Sequence, residues 1–168
     1  MTERRIRKYG AEVLRKPSKN VSDFGKKTQT LFRDLEETLE KVGGLGLAAP
    51  QIGVNLRAFV ALDKEKGKIF KIVNPEIVFV DSETVIDMEG CLSFPEIFFA
   101  IPRPKRVVVK GYTDSGKSIT IEASDILARC FAHEIDHLNG VLIIDHASRQ
   151  EKEFWKEKIS QLVAISKK

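Results

Sequence analysis

Two histidines four residues apart, in His133-Glu134-Ile135-Asp136-His137, constrain this chain more than any other stretch. The segment around them reads as helix: Ser124 can cap its start, Asp125 suits its first turn, and Gly140 suits its stop. On a helix, residues i and i+4 share a face, so both imidazoles can bind one metal ion. Ile126, Cys130, His133 and His137 form a single stripe, which turns the pair towards the protein body rather than solvent. Any fold must therefore close around this helix and leave a polar centre on its inner face. Glu134 lies one step round the helix, within reach of a water at that centre, as in hydrolytic metalloenzymes. Coincidence is the competing explanation, but the chain has only 3 histidines and two of them fall here.

At 168 residues, the chain suits one domain with a real core. Its 42% hydrophobic and 31% charged residues exclude a disordered or membrane-embedded class. The opening Met1-Thr2-Glu3-Arg4-Arg5-Ile6-Arg7-Lys8 lacks the apolar run of a signal peptide, so a cytoplasmic location is expected. Net charge is +4, with the surplus gathered at Arg4, Arg5, Arg7, Lys8 and at Lys167, Lys168. That mild excess fits a solvated surface, not a specific nucleic-acid site; weak attraction of the C-terminal end to a ribosome is compatible with it. A structural disulfide between Cys91 and Cys130 is not expected in a reducing compartment, and one of the two is better explained as a ligand.

The pattern predicts a helix from a Ser22 cap to about Val42, with Leu31, Leu35, Leu39 and Val42 on one face beside Phe32, ended by Gly43-Gly44. Strand-like runs follow at Arg57–Leu62, Lys68–Val73 and Ile77–Ile86, separated by turn signals at Lys66-Gly67 and Asn74-Pro75. Arg106–Tyr112 and Ser118–Ala123 flank a hairpin signal, and Cys91 precedes a proline-bearing turn. A last helix from Ser148 to about Ser166 opens with Ser148 and Glu151 at capping-box spacing, and Phe154, Trp155, Ile159, Leu162 and Val163 supply its buried side. This order predicts an α+β fold: antiparallel sheets packed around a central metal-binding helix, with a C-terminal helix.

A catalytic site of this type needs a third protein ligand and an open position. Metzincin proteases place a third histidine six residues after the second; that position is Ile143, and His146 is too far along. Gluzincins use a later glutamate, but Glu151 and Glu153 are already accounted for by helix capping and dipole. Cys91, in Glu89-Gly90-Cys91-Leu92-Ser93, is the upstream candidate, against the plainer reading of a small buried hydrophobe.

Taken together, Gly44-Leu45-Gly46-Leu47-Ala48-Ala49-Pro50-Gln51, Glu89-Gly90-Cys91-Leu92-Ser93 and His133-Glu134-Ile135-Asp136-His137 resemble the peptide deformylase family in order and spacing, over almost the whole chain. The resemblance implies a metal-dependent hydrolase that removes the N-formyl group from N-formylmethionyl nascent polypeptides and releases formate. The readings it displaces are a zinc endopeptidase and a non-catalytic ribosome-associated metal protein. It implies Cys91, His133 and His137 as metal ligands, Glu134 as general base and acid, and Gln51 with the Leu92 N–H as oxyanion donors. Gly46 would pair with the substrate backbone, while Leu45, Ile126 and Cys130 would receive the methionine side chain. The ion is expected to be Fe2+, with Zn2+, Co2+ or Ni2+ accommodated by the same donors. Glu89 and Asp136 are expected to orient the ligands, Asp136 by pairing with Arg103. Two positions depart from the family pattern: Ala132 replaces a glutamine common before the first histidine, and Phe98-Phe99, expected as an apolar rim, occupy a segment where some members carry arginine.

Overall fold

In a computed structural model describing residues 4–167, the histidine-bearing segment is helix α2, Asp125–Leu138. Lys168, part of the basic C-terminal end noted above, and the first three residues lie outside the described range. Ala128, Phe131, Ile135 and Leu138 are buried, and Phe131 meets the rings of Phe59 and Phe70 edge-on at 5.6 Å. Ser124 occupies the cap position without a side-chain capping bond; the Asp125 N–H donates instead to Lys105 O at 2.8 Å. Gly140 follows the helix at φ +72°, and a Cβ there would lie 2.6 Å from Arg15 O, so both backbone sign and space require glycine.

Strands β1 (Gly46–Ala48), β2 (Ala58–Asp63), β3 (Lys68–Val80), β6 (Arg106–Tyr112) and β7 (Ser118–Ser124) form an antiparallel sheet ordered β1-β2-β3-β6-β7. A second, two-stranded antiparallel sheet pairs β4 (Thr84–Cys91) with β5 (Phe94–Pro104). Helix α2 packs against both sheets, as the α+β expectation required. No helix among the described residues is long and apolar enough to cross a membrane.

Several boundaries differ from expectation, each for a local reason. The first helix, α1 (Lys26–Val42), starts after Gly25 rather than at a Ser22 cap. Asp23 governs the entry: its carboxylate accepts the Gly25 N–H, and its carbonyl accepts the Thr28 hydroxyl. Leu31, Phe32, Leu35 and Leu39 are buried, but Val42 at the helix end is exposed. Asn74-Pro75 does not break β3. Register shifts across that pair, the Asn74 N–H donates to Arg57 O, and the Asn74 side chain ties the strand to both the N–H and the C=O of Val21. The expected Ile77–Ile86 strand is two strands separated at residues 81–83.

β5 replaces the expected turn after Cys91. It carries Pro95, Pro102 and Pro104, which an edge strand tolerates, and its far edge is met by side chains. The Glu151 carboxylate accepts the Ala100 N–H at 2.7 Å, and the Trp155 indole donates to Phe98 O at 2.9 Å. The short helix α3 spans Ile143–His146. The last expected helix is divided at Trp155 into α4 (Arg149–Phe154) and α5 (Lys156–Ser166). Its Ser148–Glu151 capping box forms as expected, but Phe154 is 78% exposed instead of buried, and Leu162 anchors α5.

Candidate metal centre and active site

β4 ends at Cys91, and a register shift between Gly90 and Cys91 turns the thiol towards α2. Gly90 is needed because a Cβ there would stand 2.7 Å from the Phe98 ring. Ligating atoms of Cys91, His133 and His137 lie within 4.8 Å of one another. Cys91 Sγ is 3.3 Å from His137 Nε2. His133 Nδ1 is 2.8 Å from Glu89 Oε2, which leaves its Nε2 for another partner.

The donor set fits a divalent cation. Burial, reinforced by the charge of His133, holds His137 well below the ordinary histidine pKa, in the neutral form a ligand requires. Burial acts the same way on His133, but the Cys91 thiolate and the Glu89 carboxylate outweigh it and hold a proton there. A site whose negative charge draws a proton onto an imidazole is one in which a metal cation can replace that proton.

Behind the ligands runs a chain of charges. Buried Glu89 accepts two bonds from Arg103, at 3.0 and 2.8 Å, and one from Arg129 at 3.1 Å. Burial raises the Glu89 pKa, but the hydrogen bonds from His133 and Arg103 prevail and keep it well below the carboxylate range. Arg103 also donates to Asp136 at 2.7 Å, the expected pairing. His146, exposed and outside the donor cluster, lies 2.8 Å from the same Asp136 oxygen.

Glu134 points into the same space. Burial pushes its pKa up to about 7, with His133 opposing, and its Oε2 has no hydrogen-bond partner among the described residues. Gln51, in a tight turn at Ala49–Ile52, is fixed by the Ala48 N–H on its Oε1 at 3.0 Å. Its Nε2 consequently faces Ser93 Oγ at 3.2 Å and Cys91 Sγ at 3.6 Å.

These groups open into a cleft of about 460 Å3. Leu45, Gly46, Gln51, Cys91, Leu92, Ile126, Cys130, His133 and Glu134 all line it, whereas buried His137 is not among its lining residues. Cys130 is buried with its thiol 3.5 Å from Leu45 O, while Ile126 is 67% exposed at the mouth. Only Phe98 forms the expected apolar rim. Phe99 faces the opposite side of β5 and is fully buried, because neighbouring residues on a strand alternate faces.

Among the cleft residues that sequence reasoning missed are two cations, Arg129 and Lys8. Arg129 lies one helical turn before His133, so the spacing could have revealed it. Lys8 carries no local signal; only the tertiary fold brings it to Leu92.

Residues 3–153 match the family described as polypeptide deformylase. The peptide deformylase of Thermotoga maritima is 42% identical over 164 residues, covering 98% of this chain and 99% of that one. The peptide deformylase of Acidothermus cellulolyticus is 45% identical over 152 residues, covering 90% and 83% of the two. Among solved structures, peptide deformylase from Thermus thermophilus superposes with a TM-score of 0.91 at 32% identity, covering 97% of this chain and 99% of that one. Extent, identity and fold agree: the chain belongs to the peptide deformylase family.

Proposed function

We propose that this chain, acting as one catalytic domain, hydrolyses the formyl–nitrogen bond of N-formylmethionyl peptides and releases formate, using one divalent ion held by Cys91, His133 and His137. The observation that carries the reading is the clustering of those three donors, two of which line one cleft together with Glu134 and Gln51. When bound, the ion supplies Lewis acidity that polarises the formyl carbonyl and makes a water easier to deprotonate. Glu134, buried and with a carboxylate oxygen that no described residue engages, accepts the water proton and delivers it to the leaving amine. Gln51 Nε2 and the Leu92 N–H are the donors for the developing oxyanion; both are neutral, so they stabilise charge without trapping the product as an ion pair.

β1 stands at one end of its sheet, and Gly46 on it lines the cleft, which supports strand-like pairing with the substrate backbone there. Leu45, Ile126 and Cys130 receive the methionine side chain. A thiolate beside two imidazoles accommodates Fe2+, which we propose as the physiological ion, as well as Zn2+, Co2+ or Ni2+. The proposed setting is the cytoplasm, with weak ribosome association through the basic C-terminal end.

Formate release from formyl-Met-Ala-Ser tests the reading, comparing wild type with Glu134→Ala and Cys91→Ser. Absence of release by metal-loaded wild type would refute it. Anaerobic purification with metal analysis tests the ion, since full activity with zinc alone removes the case for iron. Ribosome co-sedimentation that survives deletion of α5 would rule out that mode of recruitment.

A further inference from the structure

The N-terminal segment runs alongside the cysteine loop and is pinned by four contacts. The Arg7 N–H donates to Gln51 O at 2.7 Å, and the Tyr9 N–H to Ser93 O at 2.9 Å. The Tyr9 ring stacks on Phe94 at 4.7 Å, and Ser166 Oγ donates to Tyr9 O at 2.6 Å. Held between these ties, Lys8 lines the cleft and its Nζ donates to Leu92 O at 2.8 Å. That carbonyl belongs to the Leu92–Ser93 peptide, whose N–H points at Cys91 Sγ from 3.4 Å. One peptide group thus has an ammonium on its oxygen and the ligand sulfur on its nitrogen.

We infer that Lys8 is a positioning residue that tunes the electron density of the Cys91 thiolate through the Leu92–Ser93 peptide. This rests on the metal reading above. An ammonium on a carbonyl polarises the whole amide, and hydrogen bonds in series strengthen one another by roughly 10–30% each. The Ser93 N–H therefore draws more density from the sulfur than it would alone, and the Gln51 Nε2 draws from a second direction. A thiolate so depleted neutralises less of a cation's charge. Lys8 in this way offsets the main electronic cost of a cysteine ligand, which is reduced Lewis acidity. The positive charge on Lys8 also lowers the affinity of the site for any cation.

A plain structural tie would have the opposite sign. If Lys8 only held the loop in place, its removal would loosen Cys91 and weaken metal binding. If Lys8 tunes the thiolate, Lys8→Met leaves a more electron-rich sulfur and one fewer positive charge. Co2+ then binds roughly three- to tenfold more tightly, and the sulfur-to-Co2+ charge-transfer band moves to longer wavelength. The test uses full-length protein loaded with Co2+, read by absorption spectroscopy and by competition with a chelator. Lys8→Arg is expected to restore both the wild-type band and the wild-type affinity; Lys8→Gln makes the same comparison if Lys8→Met does not fold. An unshifted band in Lys8→Met, or weaker Co2+ binding, overturns the inference while leaving the metal site intact. No thiolate band in wild type overturns this inference and the ligand assignment together.

Discussion

Gly46→Ala offers a test of how tightly Glu134 is held. The conformation of Gly46 is open to any residue, since its φ is not positive, so the effect must come from the added methyl. A Cβ at that position would stand 2.5 Å from Glu134 Oε1 and 2.8 Å from Cys130 Sγ. Carbon–oxygen contacts settle at about 3.3 Å or more, so the carboxylate must retreat by about 0.8 Å. A displacement of roughly 1 Å in a reacting group can cost about 10²-fold in rate, equivalent to about 2.7 kcal/mol. Overpacking adds a stability loss of about 1–3 kcal/mol. We expect kcat for formate release to fall about 100-fold while metal analysis still finds one ion per chain, because the atoms nearest the new methyl belong to Glu134 and Cys130 and to none of the three ligands. The assay is steady-state kinetics beside metal content and urea unfolding. A folded, metal-loaded Gly46→Ala protein with kcat within about twofold of wild type would show that Glu134 tolerates displacement, and would remove the argument from its placement.

Four further outcomes are expected. Glu89→Gln strips the carboxylate that faces Arg103, Arg129 and His133, so urea unfolding should show a loss of about 3–5 kcal/mol and metal affinity should fall about 10–100-fold; a loss below about 1 kcal/mol would contradict the burial argument. Gln51→Ala should lower kcat by about 10²–10³ with the metal retained, and an unchanged kcat would strip Gln51 of its oxyanion role. A double-mutant cycle on Arg103 and Asp136 should return a coupling of about 0.5–3 kcal/mol; independence would mean that the 2.7 Å contact holds nothing in place. For Asp145, burial raises the pKa, but hydrogen bonds from Arg15 and the Leu142 N–H prevail and depress it. A depressed carboxylate stabilises the fold above its unfolded pKa and loses that contribution as pH falls through the folded value. The stability gap between wild type and Asp145→Asn should therefore shrink on acidification below about pH 4, as followed by thermal unfolding; a gap that widens would reverse the sign.

What could be read from the sequence follows the range of the forces involved. The i, i+4 spacing in α2 and the Ser148–Glu151 capping box are set within one turn of helix, and both appear in the fold. Cys91 could be named as a candidate because no histidine or glutamate fitted, but only the family resemblance chose it over a small buried hydrophobe, since its approach to His137 depends on a register shift at Gly90. β5 was hidden by its prolines, which read as a turn until β4 lies on one edge and Glu151 and Trp155 on the other. Asn74-Pro75 misled for a related reason: the Asn74 side chain bonds to Val21, some fifty residues away in sequence, and keeps β3 running. Phe154 fell on the apolar side of an uninterrupted helix, but the break at Trp155 rotates it outward.

The tie between Ser166 and Tyr9 has a consequence for how this protein is made. Synthesis proceeds from N- to C-terminus, so the segment that holds the Cys91 loop through the Tyr9–Ser93 and Lys8–Leu92 bonds is made before that loop. That segment is itself secured by the last turn of α5, where Val163 and Ser166 close over Gly10. Chain growth therefore delivers α2, with both histidines, before the final clamp on the cysteine exists. The support of the cysteine loop thus waits on a helix made later than the loop itself, so a chain halted before α5 would carry that loop without its outer brace.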